Sequence, residues 1–297
     1  MSSDKSSSES PRDAVLAAVF KAYPLEVSLV ESFEYCGHWF ENEPPTPQGS
    51  FHLIDRGRCW VHSAHLREPL QLQAGDLVVF PRGSAHTLQA RRADEAPQPD
   101  LYSTLICGAF RFSSERQNPL LRALPEAFVV RADSGGPAFR ELAQVLASSA
   151  RRPLPGQQAL LNKLADSLFV MAVCVYAAQA AGDGAGLLAA LADPRLAKAL
   201  AAIHMQPGTA WRVDTLARVA GMSRTAFSVE FTRRLGLSPF QYLTECRIAE
   251  ARRLLADRRL SVAAIAEQLG YQSEAAFRRT FKRIEGVGPG QLRRAAA

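Results

Sequence analysis

The sequence predicts an α+β chain of two domains, an N-terminal β-barrel with trailing helices and a C-terminal all-α domain built on a duplicated motif. Three observations carry that reading. Between Leu25 and Leu105, short alternating or apolar runs recur between proline and glycine turn signals, the pattern of a small barrel or jelly roll. From Asn118 the periodicity becomes helical. Between Trp211 and Arg294, one pattern of two short helices joined at a glycine is written twice.

Residues 1–12 are polar and serine-rich and read as a disordered tail, and the apolar run Ala14 to Phe20 is too short and wrongly flanked for a signal peptide. The first domain, residues 13–115, offers strands at Glu26 to Phe33, Ser50 to Ile54, Arg58 to His62, Leu70 to Leu72, Leu77 to Phe80, His86 to Leu88 and Tyr102 to Cys107. Breaks fall at Pro44-Pro45, Arg56-Gly57, Ala74-Gly75-Asp76 and Pro81-Arg82-Gly83.

The piece from Gly75 through Pro81 and Gly83 to His86 resembles the second motif of the cupins, and Phe51 to Gly57 resembles the strand and turn before it. The resemblance implies two metal-binding histidines and a glutamate ahead of the first glycine in enzymatic members. Here that stretch holds Pro44, Pro45 and Thr46, with Ser50 in the glutamate's place, so the usual set is mostly missing. What remains is His86, His52 on the strand face of Ser50 by the period of two, and Cys107 late in the β region. Two readings stand: core histidines lining a small-molecule effector pocket with Cys107 as a small hydrophobe, or a metal set suited to zinc or another borderline metal. Trp39 and Trp60 are candidates to wall the pocket, or are simply its core. His38, His62 and His65 read as surface or loop residues. No cofactor is expected beyond an effector or a metal ion.

Residues 116–181 form a helical coupling region. Pro137 to Ser149 is modestly amphipathic, and Gly156 to Ala181 carries Leu160, Leu161, Leu164, Leu168, Met171 and Val175 as a broad apolar stripe. Such a stripe needs a partner surface, either its own barrel or the same helix of a second subunit, and a homodimer is expected. Its most apolar stretch, Leu168 to Ala178, is too short to span a bilayer, so no membrane association is expected. Residues 182–192 read as a linker, from the AGDGAG composition at 181–186, and 193–297 as the last domain.

In that domain the first copy of the repeat runs from Leu216 to Pro239 and the second from Ile265 to Pro289. With Gly221 set on Gly270 and one residue inserted in the second turn, Ala217 meets Ala266, Phe227 meets Phe277, Phe231 meets Phe281 and Gly236 meets Gly286. A small residue on the first helix permits a close crossing and a glycine permits the turn, which is the grammar of a helix-turn-helix. Ser223 and Ser273 are suited to cap the second helices, and the phenylalanines four apart define their buried faces. The outward faces then carry Arg224, Thr225, Ser228, Val229 and Thr232 in one copy and Glu274, Ala275, Arg278, Arg279 and Lys282 in the other. The helix between the copies, Phe240 to Ala256, spans roughly 25 Å at ~1.5 Å per residue, suiting recognition helices set about one DNA turn, ~34 Å, apart.

The doubled motif, Arg247-Ile248 with Ala251 and Leu254-Leu255, and the Gly-x-Ser-Pro ending at Pro239 resemble the AraC/XylS family of transcription regulators. Gly288 departs from the serine or threonine usual there. The resemblance implies double-stranded DNA as partner, contact with RNA polymerase, and a cupin-type sensor domain ahead of the DNA-binding half. Charge agrees: residues 195–297 hold 18 Lys+Arg against 8 Asp+Glu, net +10, and the remainder nets −4. Five cysteines without a CxxC pair point to free thiols in a reducing cytoplasm. The function expected is therefore a sequence-specific, effector-controlled transcriptional regulator and not an enzyme. Its rivals are a cupin-type metal-dependent enzyme tethered to a DNA-binding module and a dimeric scaffold whose helix-turn-helix units bind protein.

Overall fold

The computed structural model describes residues 10–92, 102–112, 117–151, 154–179 and 185–295. The chain divides into two compact units, one of Leu25–Ala180 and one that joins Met1–Pro24 to Ala181–Ala297.

In the first unit lie β1 (Leu25–Cys36), β2 (Phe40–Glu43), β3 (Gly49–Arg56), β4 (Arg58–His62), β5 (Leu70–Gln73), β6 (Leu77–Phe80), β7 (His86–Gln89), β8 (Tyr102–Phe112) and β9 (Phe128–Val130). They form antiparallel sheets of order β1-β8-β3-β6-β9 and β2-β7-β4-β5. The core draws on both sheets, with Ile54, Val78, Phe80 and Leu105 from the first meeting Cys59, Val61, Leu72 and Leu88 from the second. The turn chemistry explains the cupin-like motif. Gly83 has φ +64, and a Cβ there would overlap the carbonyl oxygens of Gln48 and Thr46, so only glycine fits. Buried Asp76 accepts from the amides of Gln73 at 3.0 Å and Ala132 at 2.9 Å and pairs with Arg131 at 2.8 Å, fastening the β5–β6 turn to the segment after β9.

β2 and β9 depart from the sequence expectation. β2 is a mostly exposed, acidic edge strand without alternation, and β9 interrupts the helical stretch expected from Asn118 because Phe128 and Val130 complete the sheet beside β6. Around it stand α2 (Pro119–Ala123), α3 (Gly136–Ala150) and α4 (Gln157–Gln179). Among the described residues, one helix, α4, is long and apolar enough to cross a membrane by length and composition. It packs on α3, β1 and β9. Phe169 lies against Phe110 with ring centroids 4.7 Å apart, and Asp166 accepts the Val27 amide, at 3.0 Å, where β1 bulges.

In the second unit are α1 (Pro11–Ala22), α5 (Leu187–Leu191), α6 (Pro194–Met205), α7 (Val213–Ala220), α8 (Arg224–Leu235), α9 (Pro239–Leu255), α10 (Val262–Gln268), α11 (Glu274–Glu285) and α12 (Pro289–Ala295). Two expectations about boundaries are corrected here. Residues from 13 were assigned to the barrel, yet α1 buries Val15, Leu16 and Val19 within the helical unit, packing chiefly on α6. Residues 182–192 were expected to be linker, yet 187–191 form a buried helix against α6 and α8, since five consecutive apolar residues cannot stay solvated. The remaining linker positions 182–184 and tail positions 1–9 lie outside the described residues. Arg252 ties this unit together: its guanidinium lies 4.9 Å from the Tyr23 ring centroid and pairs with Glu285 of α11 at 3.5 Å.

Candidate nucleic-acid interface and candidate pocket

The repeat written in the sequence is a repeat in space. Ser223 accepts from the Ala226 amide at 3.3 Å and Ser273 from that of Ala276 at 3.2 Å, so α8 and α11 start on the same cap. Phe227 and Phe231 pack with centroids 5.4 Å apart at 55°, Phe277 and Phe281 at 5.5 Å and 57°, and all four are fully buried. Gly221 and Gly270 take φ +64 and +72 at the two turns, and Gly236 and Gly286 end α8 and α11 in the left-handed region. Burying the phenylalanines turns Arg224, Thr225 and Val229 of α8 to solvent, with Ser228 half-buried beside them. On α11, Ala275, Arg278, Arg279 and Lys282 are exposed and Glu274 half-buried. Arg224 pairs with Asp214 at 3.4 Å and Arg278 with Glu274 at 2.6 Å.

Arg247, which the sequence offered only as part of a family pattern, holds the two copies together. From α9 its guanidinium donates to the carbonyls of Pro207 at 2.7 Å and Thr209 at 2.9 Å, with its other side 5.7 Å from the Tyr271 ring centroid. The loop it grips, 206–209, lies against the second turn so closely that a Cβ on either Gly208 or Gly270 would overlap the opposing backbone.

In the other unit, His52 and Cys107 stand directly opposite on β3 and β8, and His86 faces them from the second sheet, stacked on Phe80 at 3.7 Å. Cys107 Sγ lies 3.0 Å from His52 Nδ1, His52 Nε2 2.7 Å from His86 Nε2, and His86 Nδ1 2.8 Å from the Ser84 carbonyl. With both rings neutral, these distances fix the protons. The Ser84 oxygen can only accept, so His86 carries its proton on Nδ1 and accepts at Nε2, His52 donates from Nε2 and accepts at Nδ1, and the Cys107 thiol donates. Electrostatics agree with a wholly neutral relay: burial pushes His52 down to about 3 and lowers His86, while burial and then nearby Glu43 raise the Cys107 thiol above its ordinary range.

The same geometry tests a metal. Cys107 and His86 lie on opposite edges of the His52 ring, so the three candidate ligands share no common point, and no group of three His, Cys, Asp or Glu among the described residues is arranged to hold an ion. Of the five expected pocket residues, His86 lines an open cleft of about 420 Å³, with Asn42, His62, Arg67, Glu68 and Thr87. Trp39 is core, stacked on Tyr35 at 4.2 Å, and Trp60 sits under Arg92. Val61, Leu72, Phe80 and Leu88 fill the space between the sheets, and the cleft at His86 lies beside the 63–69 loop. His62, read from sequence as a surface residue, is in the cleft wall and bonded to Gln89 at 2.8 Å. Alternation within Arg58–His62 was the available signal, since Cys59 and Val61 are the buried partners.

A pH dependence follows from the relay. Because the folded barrel keeps His52 neutral down to about 3, it binds fewer protons than the unfolded chain from there up to the ordinary histidine value of 6.5. The stability is therefore complete above pH 6.5 and is lost as pH falls, at up to ~1.4 kcal/mol per pH unit for that ring. Thermal melting of the full chain between pH 7 and 5 is expected to show this loss, and His52→Asn to reduce the slope by about one proton.

A basic, duplicated helix-turn-helix joined to a two-sheet barrel defines a DNA-binding regulator of two units. Residues 14–178 match the cupin family and residues 216–295 a helix-turn-helix domain family, the first match taking in part of α1. The chain is 32% identical over 286 residues to an uncharacterized HTH-type transcriptional regulator of Haemophilus influenzae, covering 89% of this chain and 93% of that one. It is 31% identical over 230 residues to RclR, an RCS-specific HTH-type transcriptional activator of Escherichia coli, covering 76% and 78%, and 28% identical over 276 residues to the HTH-type transcriptional regulator MtrA of Neisseria gonorrhoeae, covering 87% and 90%. The chain belongs to the AraC/XylS family of transcriptional regulators, with a cupin domain ahead of its DNA-binding half.

Proposed function

We propose that this regulator acts in the cytoplasm as a homodimer, placing α8 and α11 in successive major grooves under control of a small molecule that enters the cleft at His86. The observation that carries the DNA reading is the matched geometry of the two recognition helices, each capped by serine, buried by two phenylalanines and turned outward by polar and basic side chains. Pocket control is supported by the position of His86, which joins the cleft wall to the neutral relay ending at Cys107. A ligand that favours one arrangement of the chain over another shifts DNA affinity by its differential binding. Dimerisation is supported by α4, where Leu160 is 45% exposed and Leu164, Met171 and Val175 on the same side are only half-buried. Contact with RNA polymerase belongs to the same proposal. A tethered cupin enzyme fits less well, because the candidate ligands do not converge.

The test is retention and sequencing of sheared genomic DNA on the full chain at two salt concentrations. Enrichment of a defined sequence, lost in Arg278→Ala, is the expected result. Lys282→Ala is expected to weaken binding across sequences and lower the salt slope by about 1. Retention without enrichment, equal in the Arg278 variant, would return the basic unit to a simple polyanion binder.

A further inference from the structure

The two recognition helices share one scaffold and present opposite chemistry. With their caps and phenylalanine pairs superposed, Arg224 corresponds to Glu274, Thr225 to Ala275, Ser228 to Arg278, Val229 to Arg279 and Thr232 to Lys282. The α11 face thus holds three cations where α8 has serine, valine and threonine. Arg279 and Lys282 have no ion-pair partner among the described residues. The one cation of the α8 face, Arg224, is drawn toward α7 by Asp214. Val229 is 62% exposed at the middle of that face, an apolar group that no packing within the unit accounts for.

We propose that α8 and α11 read different base chemistry, resting on the DNA-binding reading above: Val229 packs on a thymine methyl in one half-site, and Arg278 or Arg279 takes the O6 and N7 acceptors of guanine in the other. The major groove offers both. The thymine methyl is its one apolar feature, and guanine its one pair of adjacent acceptors matched to a guanidinium fork. The operator is therefore two unlike half-sites rather than a direct repeat, and it fixes the direction in which the chain lies.

Duplexes selected by the full chain from a random pool supply the probe. Each thymine is replaced singly by deoxyuridine, which removes only the methyl, and each guanine by 7-deazaguanine, which removes only the N7 acceptor. At least one uracil substitution is expected to weaken binding about fourfold, the worth of a buried methyl-sized group. Val229→Ser is expected to abolish that difference while melting like the parent chain, since the side chain is exposed. At least one deazaguanine substitution is expected to cost about tenfold, lost in Arg278→Ala or Arg279→Ala, and to lie about one turn from the first. Recovery of a site where no thymine couples to Val229, or where both coupled bases share a half-site, overturns this inference alone. Failure to recover any site overturns it together with the DNA-binding reading.

Discussion

Gly270→Ala is expected to destabilise the helical unit by roughly 2–5 kcal/mol, whereas the same change at the matching position of the first copy, Gly221→Ala, costs about 1–2 kcal/mol. Both glycines hold left-handed φ, +72 and +64, and both substitutions carry the strain of a Cβ there. Only at Gly270 does the new atom also overlap the Gly208 carbonyl oxygen and crowd the Arg247 guanidinium, while at Gly221 the space is open. Hydrogen exchange across residues 194–295 reads the difference directly. Equal loss of protection in the two variants would mean that the loop at 206–209 does not press on the second turn.

Arg247→Ala is the second large effect. It removes two hydrogen bonds to backbone carbonyls and a face from Tyr271, leaving both oxygens without their charged donor, at a cost of about 2–4 kcal/mol after allowing for partial exposure. Because the side chain joins the first copy's entry loop to the second copy's turn, DNA affinity should fall by more for a duplex with both half-sites than for one with a single half-site. Arg247→Lys should recover only part of this, since a single ammonium on a flexible stem lacks the fork that spans the two carbonyls. A variant that binds both duplexes like the parent would remove Arg247 from that role.

The contrast between these residues shows what the sequence makes legible. The recognition helices could be read because every signal is local: a capping serine, phenylalanines four apart and a glycine at each end. Strands bounded by strong turn chemistry, such as Arg58–His62 and Leu77–Phe80, were equally plain. Arg247 was visible only as a family letter, because its carbonyl partners lie 40 and 38 residues away. β2 carried no alternation, as an exposed edge strand has no buried face to mark it. The neighbours of α1 were hidden for a different reason, since an apolar stripe states that a surface is needed without stating which. In the barrel, the sequence offered His52 by the period of two, His86 by the cupin-like motif and Cys107 by its position late in the β region. It could not show that they form a line rather than converge, and so could not separate a relay from a metal site.

The most direct test of the central claim, that α8 and α11 engage successive major grooves on one side of the duplex, is the affinity of the full chain for a selected two-half-site duplex before and after five base pairs are inserted between the halves. Half a turn moves the second groove to the opposite face, so binding should weaken by about 100-fold or more. Affinity unchanged by the insertion would mean that the two helices do not read the duplex together.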